Sequence, residues 1–414
     1  MKVLILSANT GEGHNSSGKA ILNAMRAKGI EAEMKDILSI SKPNGTSTNS
    51  QAVSKAYVKS TGGFNPFSKI YAFAMWVSRN LNGHKHSPIY WVNKLYWRRL
   101  WHFIEDGGYD AVISVHLFSA EKLTALKREG KLHIPSIFVM TDYTIHPFLN
   151  DTELDYYVLP HKDLFPLWIR DGFPKEKLLA YGIPVNEELF AHHIDKDEAR
   201  KQVAQALGFE LLDKDSTANK SRWYLVMSGS MGFGNMSLLL KEFKEHMRPN
   251  SRVICVCGRN EHNLEVIKHD FADDYRICPV GYTDKIALMM DACDVVMSKP
   301  GGISTTESII KNIPLVHTAP IPGIEDENAK FCHERNMSFY SEKLEEQAGA
   351  AIRLANDEEY RAKMIKGQKE NSHPDTCERI IELVEKLVKN KTKHEKIFAD
   401  NALHAGHTVL CRQL

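Results

Sequence analysis

Eleven short apolar runs punctuate the chain, and each is followed by a stretch long enough for a helix or a connecting loop. In the first half they read KVLILSA, AEMKDI, DAVISVH, PSIFVMTD, DYYVLP and LLAYGIPV; in the second, RWYLVMSGS, RVICVCG, YRICPVG, DVVMSK and PLVHTAP. Runs this apolar are strands covered on both faces, and helix-length connections let successive strands lie parallel. With 414 residues, the chain has material for two domains of roughly 150 to 200 residues each. The expected fold class is therefore α/β, with two Rossmann-like, doubly wound parallel-sheet domains facing a central cleft. Ligands in such sheets sit at the carboxyl ends of the strands.

The pattern breaks once, between Asn186 and Arg222, where a charged helix and a polar, turn-rich segment intervene. This places an N-terminal domain over residues 1–185, a linker region over 186–221 and a second domain over 222–375. In the remainder, 376–414, the stretch TCERIIELVEKLVKN is amphipathic and suited to folding back as a brace, while the tail from Lys391 shows no pattern. Two DxD strings, Asp195 to Asp197 and Asp213 to Asp215, fall in the linker and read as solvated.

A formal net charge of +1 gives no global field to attract nucleic acid. Seven cysteines without a CxxC spacing read as reduced, mostly buried thiols. The opening apolar run is too short for a signal-peptide core, and no window of 18 uncharged apolar residues follows. The expected location is therefore cytoplasmic.

Chemistry is concentrated at the strand ends. The run KVLIL leads into SANTGEGHNSSGKA, where glycines such as Gly13 let the backbone turn tightly into a helix whose first N–H groups face the cleft. The dinucleotide fingerprint does not fit, because Ser16 stands where its third glycine would be, and the stretch is not a Walker A loop despite Gly18 and Lys19. His14 lies at the helix start, where the dipole disfavours the imidazolium, so a neutral ring can act as a general base. Asp142, in MTDYTIHP at another strand end with His146 four residues on, is the second candidate. It could orient His14 or act as the base itself.

In the second half, KPGGISTTES follows the strand DVVMS and opens a helix. Gly301 and Gly302 free the backbone, and Ser304, Thr305 and Thr306 offer donors at a helix N-terminus, an arrangement suited to a diphosphate. Glu307, one turn on, can accept both hydroxyls of a ribose. GSMGFGN, with Gly229 and Ser230, ends the strand YLVM; CGRN adds Gly258 and Arg259; GYTDK offers Tyr282 to a base. Four such turns on successive strand ends of one sheet point to a nucleotide diphosphate.

GEGH, MTDYTIHP, YGIPV, GSMGFG and KPGGISTTES occur in the order and spacing found in the diacylglycerol glycosyltransferases. Over about residues 1 to 370 the chain resembles the bacterial diacylglycerol glucosyltransferases and plant monogalactosyldiacylglycerol synthases. These belong to glycosyltransferase family 28, with the undecaprenyl N-acetylglucosaminyltransferase of peptidoglycan synthesis. The resemblance implies a GT-B fold, a UDP-sugar (UDP-glucose or UDP-galactose) in the C-terminal domain, diacylglycerol in the N-terminal domain, and inversion without a metal or other cofactor. It further implies that His14 works on the acceptor hydroxyl, that Gly229 and Ser230 approach the phosphates, and that Glu307 holds the ribose. The family's PGQE segment, which contacts sugar hydroxyls, is PGIEDEN here; Ile324 replaces the glutamine, leaving Glu325, Asp326 and Asn328.

From Ile37 to Ile104 there is no Asp or Glu but nine Lys or Arg, among them Arg98 and Arg99, and aromatics crowd its second part, including Trp76, Trp91, Trp97 and Trp101. Basic residues near an anionic bilayer and Trp at headgroup level mark a membrane-docking, acceptor-supplying face. Single-stranded nucleic acid is disfavoured by the helical spacing of the aromatics. The resulting expectation is a peripheral enzyme on the inner face of the cell membrane, moving a hexose to the 3-hydroxyl of diacylglycerol. Its rivals are a UDP-N-acetylglucosamine transferase acting on a polyprenyl-linked acceptor, a UDP-sugar epimerase of the same fold, and a non-catalytic nucleotide-sugar sensor.

Overall fold

The structure is a computed structural model that describes residues 1–9, 12–40, 97–211, 215–217, 220–229, 236–320 and 323–392. The first sheet contains β1 (Lys2–Ser7), β2 (Glu31–Asp36), β3 (Ala111–Ser114), β4 (Ser136–Val139), β5 (Tyr156–Leu159) and β6 (Leu178–Ala180). Its order is β2-β1-β3-β4-β5-β6, every neighbouring pair parallel. The second holds β7 (Trp223–Met227), β8 (Arg252–Val256), β9 (Ile277–Val280), β10 (Val295–Ser298), β11 (Leu315–His317) and β12 (Phe339–Tyr340). Here the order is β12-β11-β10-β7-β8-β9, again all parallel.

Each of the eleven apolar runs carries one of these strands. The twelfth, β12, escapes sequence reading because it is two half-buried residues inside the polar stretch MSFYSEK. Alternate side chains explain why the runs look continuously apolar: Val3 and Ile5 bury on one face of β1, Leu4 and Leu6 on the other. On the first of these faces lies the helix over 376–392, whose Cys377, Ile380, Ile381 and Val384 join the same cluster. Thr376 donates to the Tyr181 carbonyl at 2.7 Å, tying the start of that helix to the first domain. This helix therefore returns across the molecule and covers one face of the N-terminal sheet.

The segment over 186–221 is not a free connector. Its helix Lys196–Leu207 packs Ala199 and Val203 against Trp223 and Leu225 of the second domain. Arg200, fully buried, donates to Asp294 Oδ2 at 2.9 Å. The reading of Asp215 as solvated is corrected: it is 1% exposed and holds the Arg252 guanidinium through both oxygens, at 3.0 and 2.8 Å. Asp195 caps the helix, and Asp197 accepts from Thr217. Buried pairs of this kind cost about 3–5 kcal/mol when one partner is removed, so the helix Lys196–Leu207 and Asp215 are part of the second domain's fold. The six described cysteines are free thiols.

The two domains share apolar packing as well as facing each other. Ile309, Phe331, Cys332 and Met337 of the second belong to the same buried cluster as Leu4, Phe138 and Tyr143 of the first. Tyr143 stacks on Phe331 with centroids 5.3 Å apart.

Candidate active site

In each sheet the strand order reverses at one point, and a crevice opens beyond the carboxyl ends of the two strands there. In the first sheet that point lies between β1 and β3, and in the second between β7 and β10. His14 follows β1, and Val115 with His116 follows β3; Gly229 follows β7, and Lys299 to Gly302 follows β10. The two crevices meet. Gly302 lies so close to the first domain that a Cβ on it would be 1.9 Å from the Thr141 carbonyl oxygen. Gly13 faces Ile303 across the same gap, its hypothetical Cβ 3.5 Å from Ile303 Cγ1.

His14 Nδ1 is 2.8 Å from the Val115 carbonyl oxygen and 3.1 Å from Thr141 Oγ1. A carbonyl can only accept, so Nδ1 carries the proton and Nε2 keeps its lone pair. Burial pushes the His14 pKa down to about 4, outweighing the upward pull of Asp142. The ring is therefore neutral near pH 7. It stands edge-on to His116 at 4.6 Å and to His146 at 6.4 Å. His116 is also driven well below the ordinary range, first by burial and then by its two histidine neighbours.

Asp142 lies in the same cluster. One oxygen meets His146 Nε2 at 3.0 Å; the other accepts from Asn328 Nδ2 at 2.8 Å. Burial alone would raise its pKa, but these partners hold it below the usual carboxylate range. It is an anion fixed beside a neutral base.

The second half of the site is built around Lys299. Gly229 adopts φ +74, where only glycine is unstrained, and a Cβ there would be 2.5 Å from Lys299 Cε. The lysine thus crosses over the Gly229 turn, and its ammonium pairs with Glu325. The helix Gly302–Ile310 begins at Gly301 without a side-chain cap, leaving its first N–H groups for an anion. Ser304 is half-buried at this end, 3.3 Å from the Gly301 carbonyl. Glu307 sits one turn on and is half-buried. Burial alone pushes its pKa up to about 8, and among the described residues nothing pairs with its carboxylate. At the ends of β8 and β9, beyond Gly258, the Arg259 guanidinium lies 4.6 Å from the Tyr282 ring, which is 60% exposed. That pair offers a flat, cationic surface to a planar base.

Several expected donors are directed elsewhere. The Thr305 hydroxyl contacts buried His317 at 3.1 Å, and the Thr306 hydroxyl donates to the Gly302 carbonyl while receiving Tyr143 OH at 2.9 Å. Both hydroxyls are scaffold, and Ser304 donates to the Gly301 carbonyl over a longer 3.3 Å, which leaves the backbone N–H groups as the main donors for an anion. Asp326 folds back to accept from the Gly323 N–H at 2.9 Å, so it caps its helix. Asn328 is fully buried, with its amide engaged by protein at both ends. Ser230, Trp76 and Trp91 lie outside the described residues. On the helix Trp97–Gly107, Trp97 and Trp101 pack half-buried on the core, Arg98 is exposed and Arg99 half-buried. Sequence reasoning missed Lys299 and His116. The signal for each was its place at a strand's carboxyl end, in VVMSK and DAVISVH.

Comparison with solved structures agrees with this architecture. A MurG from Acinetobacter baumannii superimposes with a TM-score of 0.60 at 14% identity, covering 93% of this chain and 99% of that one. A UDP-GlcNAc 2-epimerase from Neisseria meningitidis, bound to UDP-GlcNAc, gives 0.61 at 13%, covering 93% and 100%. These likenesses define the two-domain GT-B fold. Residues 14–185 match the monogalactosyldiacylglycerol (MGDG) synthase family. A processive diacylglycerol beta-glucosyltransferase of Bacillus cereus is 26% identical over 367 residues, 87% of this chain and 84% of its own length. That of Staphylococcus epidermidis is 25% identical over 392 residues, 92% and 93%. Over most of its length the chain is thus similar to diacylglycerol glycosyltransferases.

Proposed function

We infer that this enzyme moves a hexose, glucose first among the candidates, from a UDP-sugar to the 3-hydroxyl of 1,2-diacylglycerol, forming a β-glycosyldiacylglycerol. The observation that carries this reading is the apposition of the two crevices. A neutral imidazole with a free Nε2 lies on one side, and an uncapped helix start with Lys299 on the other. The acceptor oxygen attacks C1 of the sugar, its proton passes to His14 Nε2, and the bond from C1 to the phosphate oxygen breaks as UDP leaves. Negative charge grows on the diphosphate as that bond breaks, so fixed donors and a cation at the KPGG turn favour the transition state over the ground state. In this reading the leaving group needs no metal. Asp142 stabilises the imidazolium that forms.

The test is lipid analysis after incubating the protein with diacylglycerol and labelled UDP-glucose, UDP-galactose or UDP-N-acetylglucosamine, with and without a chelator. A hexosyl lipid from the first or second donor is expected. Transfer only to a polyprenyl acceptor, or isomerised UDP-sugar with no acceptor, would replace this reading with one of its rivals.

Glu307 supplies a second check. Its carboxyl, with a pKa of about 8, is mostly protonated at pH 7. Two ribose hydroxyls donating to it favour the charged form. UDP-sugar binding at pH 7 is therefore expected to release up to about one proton, read by calorimetry in buffers of different ionisation heat. Glu307→Gln should abolish that release and weaken binding.

Among the described residues no helix is long and apolar enough to cross a membrane. The acceptor is nevertheless a lipid, and the basic, aromatic stretch ending in the helix Trp97–Gly107 is proposed as the face that meets an anionic bilayer. Each basic group there is worth about 1 kcal/mol. Replacing Arg98 and Arg99 together by Ala should release the protein from anionic vesicles in flotation while leaving UDP binding intact.

A further inference from the structure

Asn328 joins three parts of the site that are distant in sequence. It stands on the helix Ile324–Glu334 of the second domain and is fully buried. Its Nδ2 donates to Asp142 Oδ1 at 2.8 Å and to the Pro300 carbonyl, inside the KPGG turn, at 3.0 Å. Its Oδ1 accepts from the Tyr143 N–H at 2.6 Å. Both donors and the acceptor are used, which leaves the side chain poorly placed to serve a sugar hydroxyl.

The chain of contacts continues from there to the base. Asp142 Oδ2 meets His146 at 3.0 Å and Thr141 Oγ1 at 3.5 Å, and Thr141 Oγ1 lies 3.1 Å from His14 Nδ1. Asp142 is faced by His14 from the first helix, with His116 behind it, and by His146 from its own loop. From the second domain it is faced by the Asn328 amide and the Gly302 backbone.

We propose that Asn328 is a positioning residue: it couples the donor-binding turn of the second domain to the Asp142–His146 pair beside His14, so that the base is set only when the two domains are closed. The proposal rests on the transferase reading above and names a role that reading does not require. An amide suits the place because it presents a donor to the carboxylate and an acceptor to the neighbouring N–H at once. Leucine can do neither, and aspartate sets a second anion against Asp142.

Its test is the pH dependence of hexosyl transfer in two variants. Asn328→Ala removes the hydrogen bond that favours ionised Asp142, so the acid limb of kcat should move to higher pH, with kcat about 10- to 100-fold lower at pH 7 and little change in KM for the UDP-sugar. Asn328→Asp, nearly isosteric, makes the two carboxylates compete for one proton. Its activity relative to wild type should therefore rise as the pH is lowered from 8 to 6. UDP binding by calorimetry serves as the folding control, and if the alanine variant fails to fold, the aspartate variant alone decides. Acid limbs that superimpose on wild type overturn the proposal, as does a loss confined to donor KM, which would make Asn328 a sugar ligand. Failure of the transferase reading is seen separately, as a wild-type protein that forms no glycolipid from any donor.

Discussion

Exchange of His14 for alanine is expected to lower glycolipid formation by about 10²–10⁴-fold, the range for loss of a positioned general base, with UDP-sugar binding essentially unchanged. In the proposed reading the donor half of the site belongs to the other domain, so this exchange removes only the proton acceptor. A second readout separates this from a packing defect. In the folded protein His14 is held near a pKa of about 4 and His116 also lies well below its ordinary range. Below about pH 6.5 the unfolded chain binds protons that the folded one does not, so stability rises with pH across the window from about 4 to 6.5. His14→Ala deletes one of those imidazoles. Its melting temperature should therefore depend less steeply on pH in that window than that of wild type. Full activity in this variant would move the role of base to Asp142.

The parts of this site that were legible in the sequence are those that local backbone chemistry dictates. A strand that turns into a helix at a cleft needs glycine and leaves N–H groups unpaired, so Gly13, Gly229 and the KPGG turn are visible from their spacing. His14 is visible because it stands in such a turn. What could not be read is the direction in which a polar side chain points. Thr305 and Thr306 look like anion donors, yet their hydroxyls serve His317 and the Gly302 carbonyl. Asp215 sits in a string that reads as solvated, and its partner Arg252 is 37 residues away at the start of a buried strand. Asn328 and Asp142 are 186 residues apart, and no periodicity links them. Lys299 precedes a glycine turn, where a lysine is unremarkable until a folded sheet lays it across Gly229.

Gly302→Ala is expected to be as damaging as loss of the base, although it removes no functional group. The position opens a helix, where alanine is intrinsically favoured over glycine by about 1 kcal/mol, so a local backbone argument predicts a gain. The added methyl, however, would lie 1.9 Å from the Thr141 carbonyl oxygen, 2.9 Å from its carbon and 3.3 Å from the Asp142 Cα. All three are backbone atoms, so no rotamer change relieves the contact and the domains must separate by more than an ångström. That movement stretches the Asn328–Asp142 bond from 2.8 Å and the Tyr143–Thr306 bond from 2.9 Å, and it withdraws His14 from the diphosphate turn. Misplacement by about 1 Å costs on the order of 10²-fold in rate. Transfer should fall by at least about that factor, UDP binding should survive because the second domain keeps its own core, and amide exchange should quicken at Thr141–Tyr143. Wild-type transfer by this variant would mean that the reaction runs in a more open arrangement of the domains, in which neither Gly302 nor Asn328 touches the loop that carries Asp142.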